Sequence, residues 1–295
     1  MTTALTNSSN PLILTVAPNG AYKLAADHPA VPLTAQALAA DAKRCLDAGA
    51  AMLHLHIRDA QGRHSLSTEG YLEALRVVRA AVGDQLVLQV TSEAARVYQA
   101  PAQMAMVQAV RPEAVSIGLR ELDQPGIGRA GLAAFFGWLA RERVMTQVIL
   151  YDLADLRRWL ALRAEGVVPD APWFLLFVLG RYSAGQVSCP LDLLPFVAAH
   201  TAANTAANTA ANTAAQADPE PWAMCAFGAA EHACAMTAAA LGGHVRVGFE
   251  NNLRLKDGAL APDNAALVAQ AADIARCLGR PLATAHDVRQ RFGAA

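Results

Sequence analysis

The sequence predicts a single (β/α)8 TIM barrel over residues 1–295, and three observations carry that expectation. Short apolar runs with β-branched residues alternate eight times with longer amphipathic segments, the pattern of strands each followed by a covering helix. A chain of 295 residues that is 54% hydrophobic and 17% charged has ample apolar surface for one large core. Polar and charged residues collect where the predicted strands end, the face on which barrel enzymes build their sites.

The elements follow in order. Leu12–Val16 is an apolar run closed by the turn Pro18-Asn19-Gly20. Thr34 is a candidate N-cap, after which Leu38, Ala42, Cys45 and Leu46 recur at helical spacing until Gly49. Met52–Ile57 is the second strand, and Thr68 is read as the cap of a helix reaching Val82. The unit then repeats: strands at Leu86–Val90, Ala114–Leu119, Thr146–Tyr151, Trp173–Leu179, Trp222–Phe227 and Val245–Phe249. The matching helices are Pro101–Val110, Gly131–Arg143, Leu153–Glu165, Pro190–Ala199, Glu231–Leu241 and Asn264–Leu278. Residues 1–11 read as a flexible polar N-terminus. Residues 200–217, dominated by a Thr-Ala-Ala-Asn repeat without an apolar face, read as a mobile low-complexity surface loop.

Several function classes are disfavoured. A formal net charge of -1 gives no footprint for nucleic acid or an anionic membrane surface. No apolar run approaches the roughly 18 residues of a membrane span. The N-terminus lacks a basic region followed by an apolar one, so no signal peptide is expected. Five cysteines fit no disulfide or zinc framework and read as reduced thiols. The expectation is a cytoplasmic protein. Phosphate-loop, dinucleotide and serine-hydrolase elbow motifs are absent.

The chemistry concentrates in two stretches. In Met52-Leu53-His54-Leu55-His56-Ile57-Arg58-Asp59, the histidines share one strand face at about 7 Å spacing, suited to one divalent metal. The alternative is a pair of core or surface histidines. In His244-Val245-Arg246-Val247-Gly248-Phe249-Glu250-Asn251, alternation puts Arg246, Gly248 and Glu250 on one face. Charged residues directed into a barrel are either paired or functional, so Arg246–Glu250 is a structural ion pair or an anion-binding guanidinium beside a third ligand. Two histidines and one carboxylate leave coordination positions open for substrate. Other strand ends contribute Asn19, Thr91, Ser92, Glu93, Ser116, Arg120, Tyr151, Asp152 and Arg181. His28, His64, His200, His232, His244 and His286 read as structural or solvated.

Together, His54-Leu55-His56 with Arg58-Asp59 and Val245-Arg246-Val247-Gly248-Phe249-Glu250 resemble the β-keto acid cleavage enzymes over roughly residues 12–279. The resemblance implies a zinc-dependent barrel, with other divalent transition metals as alternatives. It reacts a β-keto acid with acetyl-CoA as co-substrate, giving a new acyl-CoA and acetoacetate. It implies His54, His56 and Glu250 as metal ligands, Arg246 as the charge-steadying residue, and Thr91, Ser92 and Ser116 as substrate contacts. Asn19 and Arg120 are further substrate-binding candidates. A homo-oligomer, dimer or tetramer, is also implied.

Two departures stand out. Many relatives follow the zinc-binding Glu with Asp, where this chain has Asn251, and a neutral carboxamide cannot take a proton. Arg246, Glu93 and Asn251 are the catalytic candidates, with Glu93 the preferred base and Glu231, Asp59 or metal hydroxide behind it. A first-strand position that is often acidic in the family is Tyr22 here or close to it, implying a substrate uncharged or anionic at its far end. The competing reading is a metal-dependent lyase or hydrolase acting on a keto acid without acetyl-CoA. A non-catalytic metal-stabilised barrel leaves His54, His56, Arg246 and Glu250 without a reason to occur together.

Overall fold

The computed structural model describes residues 10–210 and 220–293. Eight parallel strands close into a barrel: β1 (Leu14–Val16), β2 (Met52–Leu55), β5 (Val87–Thr91), β6 (Ala114–Gly118), β7 (Met145–Leu150), β8 (Phe174–Leu179), β9 (Trp222–Ala226) and β10 (His244–Val247). β3 (Ile57–Arg58) and β4 (His64–Ser65) form a separate antiparallel ribbon above β2. Around the barrel run α1 (Ala35–Asp47), α2 (Thr68–Val82), α3 (Ala100–Val110), α4 (Leu119–Leu122), α5 (Gly128–Arg141), α6 (Leu153–Ala164), α7 (Leu194–Ala210), α8 (Glu231–Ala240), α9 (Asn264–Cys277) and α10 (Ala285–Phe292).

Strand alternation sorts the apolar residues into two sets. Leu53, Leu55, Leu88, Val90, Val115 and Ile117 join the large core shared with the helices. Ile13, Met52, Val87, Ala114, Met145, Phe174 and Ala223 form a second cluster, joined by Val288 and Phe292 of α10. The Phe292 ring lies 5.0 Å from that of Phe174, so α10 plugs the N-terminal end of the barrel. With that end filled by apolar side chains, chemistry is confined to the opposite mouth.

The barrel and its eight strands agree with the sequence reading, and local details differ. Thr34 caps α1, its side chain accepting from Ala37 N. Ser67, not Thr68, caps α2, because its hydroxyl accepts from Gly70 N. The β3–β4 ribbon and α10 were not foreseen, although Thr284 and Asp287 form a reciprocal capping box at the start of α10. α7 continues to Ala210, which corrects the surface loop expected from residue 200. Half the repeat is alanine, the strongest helix former, and Thr205 Oγ1 donates back to Thr201 O at 2.9 Å as a helical threonine does. The rest of that expectation, from residue 211, lies outside the described residues, as do residues 1–9 of the expected N-terminus. No helix among the described residues is long and apolar enough to cross a membrane.

Candidate active site

β2 ends by presenting His54 and His56 into the barrel mouth, both fully buried. Their tautomers are set by neighbours. His54 Nδ1 lies 2.8 Å from Gln89 Oε1, an acceptor, so this nitrogen carries the hydrogen. His64 Nε2 lies 2.9 Å from the Glu93 carbonyl and must donate to it. That leaves His64 Nδ1 bare, facing His56 Nδ1 at 3.4 Å, so the His56 hydrogen sits there too. Both Nε2 atoms are therefore lone pairs in the neutral rings, and they face each other at 3.1 Å.

Glu250 completes the cluster. Its Oε2 lies 3.4 Å from His54 Nε2 and 3.6 Å from His56 Nε2, and it is buried without a hydrogen-bond partner. Three acceptor atoms converge with no proton between them, all within 4.8 Å of one another. That arrangement is repulsive alone and is satisfied by a cation, so His54, His56 and Glu250 can hold a metal ion. Burial pushes the Glu250 carboxyl up, but the Arg246 guanidinium and His54 outweigh it and hold it well below the usual carboxylate range. Burial likewise drives His56 well below the usual imidazole value, favouring the neutral ligand form.

A turn, not strand alternation, delivers Glu250. β10 stops at Val247, and Gly248 adopts φ +138°, where a Cβ would meet the Ala17 carbonyl oxygen at 2.4 Å. Glu250 N then donates to Ala17 O, and Phe249 N to Asn264 Oδ1 at 2.8 Å. Glu231 sits behind this turn, accepting from Gly248 N at 3.3 Å and Asn252 Nδ2 at 3.1 Å. The two alternatives for Arg246 and Glu250 are both realised. Oε1 pairs with Arg246 Nη2 at 3.0 Å, and Oε2 is left for the cluster. Arg246 is buried, with Nε and Nη1 unpartnered among the described residues.

Glu93 faces the histidine pair from the end of β5, its Oε2 3.8 Å from His56 Nε2 and its Oε1 3.8 Å from Arg181. Burial first, then the charges of Glu250 and Glu121, push its carboxyl up to about 8; a cation at the cluster would oppose this. Three cavities of about 20, 150 and 290 Å³ meet at Glu93 and Arg181. Thr91 lines the smallest, together with His54, Arg246 and Glu250. Its Oγ1 accepts from Glu93 N and from Ser116 Oγ, leaving its own proton free to donate.

Other expected site residues are placed elsewhere. Asn19 is a scaffold residue: its carboxamide donates to the Pro32 and His56 carbonyls and accepts from His56 N. Ser92 faces away from the mouth because it follows Thr91 in the alternation, and its hydroxyl donates to Ser116 O. Arg120 is committed to Asp152 and Asp155, with bonds of 2.6 Å to each. Asp59 holds the β3–β4 turn through Gln61 N, Arg63 N and the Arg63 side chain. Asn251 is buried and absent from the walls of the three cavities. His64, read as solvated, is instead buried against His56. Gln89, inside an apolar strand, was a polar residue without an apparent reason, and that was its only trace in the sequence.

Known proteins bear on this site. The family described as beta-keto acid cleavage enzyme matches residues 11–293. A 3-oxoadipate:acetyl-CoA acetyltransferase of Cupriavidus necator is 27% identical over 289 residues, covering 97% of this chain and 95% of that protein. A 3-keto-5-aminohexanoate cleavage enzyme of Fusobacterium nucleatum is 27% identical over 291 residues, covering 95% and 96%. Among solved structures, a ternary complex of ObcA with a C4-CoA adduct and oxalate superposes with TM-score 0.66 at 18% identity. It covers 90% of this chain and 68% of that one, a likeness in fold.

Proposed function

This chain belongs to the beta-keto acid cleavage enzyme family, and we propose that it condenses a β-keto acid with acetyl-CoA to give a new acyl-CoA and acetoacetate. The observation that carries this is the convergence of three proton-free ligand atoms beside one carboxylate, Glu93, that has no hydrogen bond among the described residues and borders the same cavity. His54, His56 and Glu250 would hold a divalent metal ion, with zinc suited to that donor set, and such an ion would supply Lewis acidity toward the keto oxygen and so make the neighbouring C2–H more acidic.

Glu93 takes the C2 proton onto a carboxylate oxygen, which borders the cavity beside the ligand cluster. The resulting C2 carbanion bonds to the acetyl carbonyl carbon and expels the CoA thiolate. The thiolate then adds to the original keto carbon, and the C2–C3 bond breaks to leave the new acyl-CoA. Glu93 returns its proton to C2 and acetoacetate leaves. Arg246 offers its unpartnered Nε and Nη1 hydrogens to the negative charge that develops in these additions. Thr91 donates its free hydroxyl proton to the substrate, with Ser116 holding Thr91 in place. Asn251 has no proton-accepting part in this scheme. A homo-oligomeric, cytoplasmic protein belongs to the same reading, resting on the family and on five unpaired cysteines.

The test is acetoacetate formation by metal-loaded protein from a panel of β-keto acids, with and without acetyl-CoA. Acetoacetate that requires acetyl-CoA and disappears on chelation is the expected result. Keto acid consumption that is independent of acetyl-CoA would instead establish the lyase or hydrolase reading.

A further inference from the structure

Arg181 is a cation in the mouth of the barrel for which the proposed reaction has no task. It follows β8 and lines all three cavities above the ligand cluster. Its guanidinium carbon lies 5.0 Å from the Tyr22 ring centre, 5.3 Å from that of Phe227 and 5.8 Å from that of Tyr182. Such rings pack against a guanidinium group and hold its orientation, while its planar fork of N–H donors is the geometry that takes a carboxylate in bidentate fashion.

The guanidinium has no hydrogen bond among the described residues. Its one ion-pair partner there, Glu93, is 3.8 Å away, beyond hydrogen-bond reach. Two other acids on the cavity walls are already occupied. Asp27 accepts from Leu24 N at 2.8 Å, and Glu121 accepts from Ala94 N at 2.9 Å and Gln103 Nε2 at 2.8 Å. By contrast Arg246 is paired with Glu250, and Arg120 with Asp152 and Asp155. A largely buried guanidinium without a matched acceptor beside an open cavity is an anion site awaiting its anion.

We infer that Arg181 receives a second carboxylate on the substrate, so that the acid taken by this protein is a short β-keto dicarboxylic acid. The inference rests on the reaction proposed above. The reach fits: one oxygen of Glu93 lies 3.8 Å from His56 Nε2 and the other 3.8 Å from Arg181 Nη2, so a single carboxylate spans the gap. A substrate lying beside Glu93, with its keto carbon toward the histidines, brings an atom two or three carbons further on to Arg181. An ammonium group there would meet the guanidinium charge instead, so amino-substituted keto acids are disfavoured.

The experiment compares 3-oxohexanedioate with 3-oxohexanoate, each with acetyl-CoA, in the wild type, Arg181→Met and Arg181→Lys. The wild type should favour the diacid in kcat/KM by about 10- to 100-fold, the scale of one charge-assisted contact. Arg181→Met should bring that ratio toward one, and Arg181→Lys should retain part of it. Equal kcat/KM for the two acids in the wild type overturns the inference, as does Arg181→Met lowering both by the same factor. If neither acid yields acetoacetate, the reaction reading has failed, and calorimetric binding of glutarate by metal-loaded protein decides the subsite separately. Binding lost in Arg181→Met supports it; absent or unchanged binding overturns it.

Discussion

Glu93, at the end of β5, and Glu231, at the start of α8, carry the same shift for the same leading reason: burial pushes each carboxyl up to about 8. Their surroundings are opposite. Glu231 is fully enclosed and accepts two hydrogen bonds from the turn that delivers Glu250. Glu93 has no hydrogen bond to its carboxylate among the described residues and borders all three cavities. A raised pKa therefore marks burial in both and a base in neither by itself; access to a substrate separates a proton-transfer group from a structural one. Glu231, a reserve candidate for the base, is buried and engaged with the turn that carries Glu250.

The largest expected effect lies in the cluster that Glu93 faces. His54→Ala should lose bound metal and at least ~10³ in turnover, several kcal/mol of transition-state stabilisation, with the unfolding midpoint of the metal-free protein little changed. Glu250→Ala is a less clean version, because it also strands the buried Arg246 guanidinium at a cost of about 3–5 kcal/mol. Metal analysis beside a thermal melt separates the two, and a His54→Ala protein with full metal content would sink the ligand assignment.

Next comes the contrast itself. Glu93→Gln should cut turnover by ~10²–10⁴, the usual worth of a general base, while metal content and folding stay as in the wild type. An unaffected rate would move the proton transfer to another group.

The barrel was legible because its cue is long-range and redundant: eight apolar runs at strand length, each followed by helical spacing. The His54/His56 pair was legible because strand alternation is local. Glu250 was placed with them for an imperfect reason, since Gly248 breaks the strand and a turn brings the carboxylate back. Asn19, Ser92 and Arg120, expected to bind substrate, have side chains engaged with protein partners, because a polar residue at a strand end can bind backbone or a neighbouring side chain as readily as substrate. Only tertiary partners such as the His56 carbonyl or Asp155 distinguish the two. His64 escaped for the converse reason. The β3–β4 ribbon folds it back onto His56 from eight residues away, and no periodicity announces that contact.

Glu231→Gln gives the smallest effect and the sharpest contrast. The carboxylate accepts from two donors, Gly248 N and Asn252 Nδ2. Both oxygens of the carboxyl group keep lone pairs even when it is protonated, whereas the carboxamide nitrogen offers none, so one contact becomes donor against donor, costing about 1–3 kcal/mol. The penalty should depend on pH. Glu231 titrates near 8 in the folded protein and near ~4.3 when unfolded. The folded state thus holds the proton more tightly, and this group's stabilisation is complete below ~4.3 and lost as pH rises through about 8. Glutamine does not titrate, so the stability gap between wild type and Glu231→Gln should narrow from pH 5 to pH 8.5, read from urea unfolding. A gap that stays constant across that range would mean Glu231 is ionised throughout as an ordinary hydrogen-bonded carboxylate. A large fall in turnover for Glu231→Gln with the melt unchanged, alongside an active Glu93→Gln, would exchange the two roles. The burial of Glu231 would then have to open during the reaction.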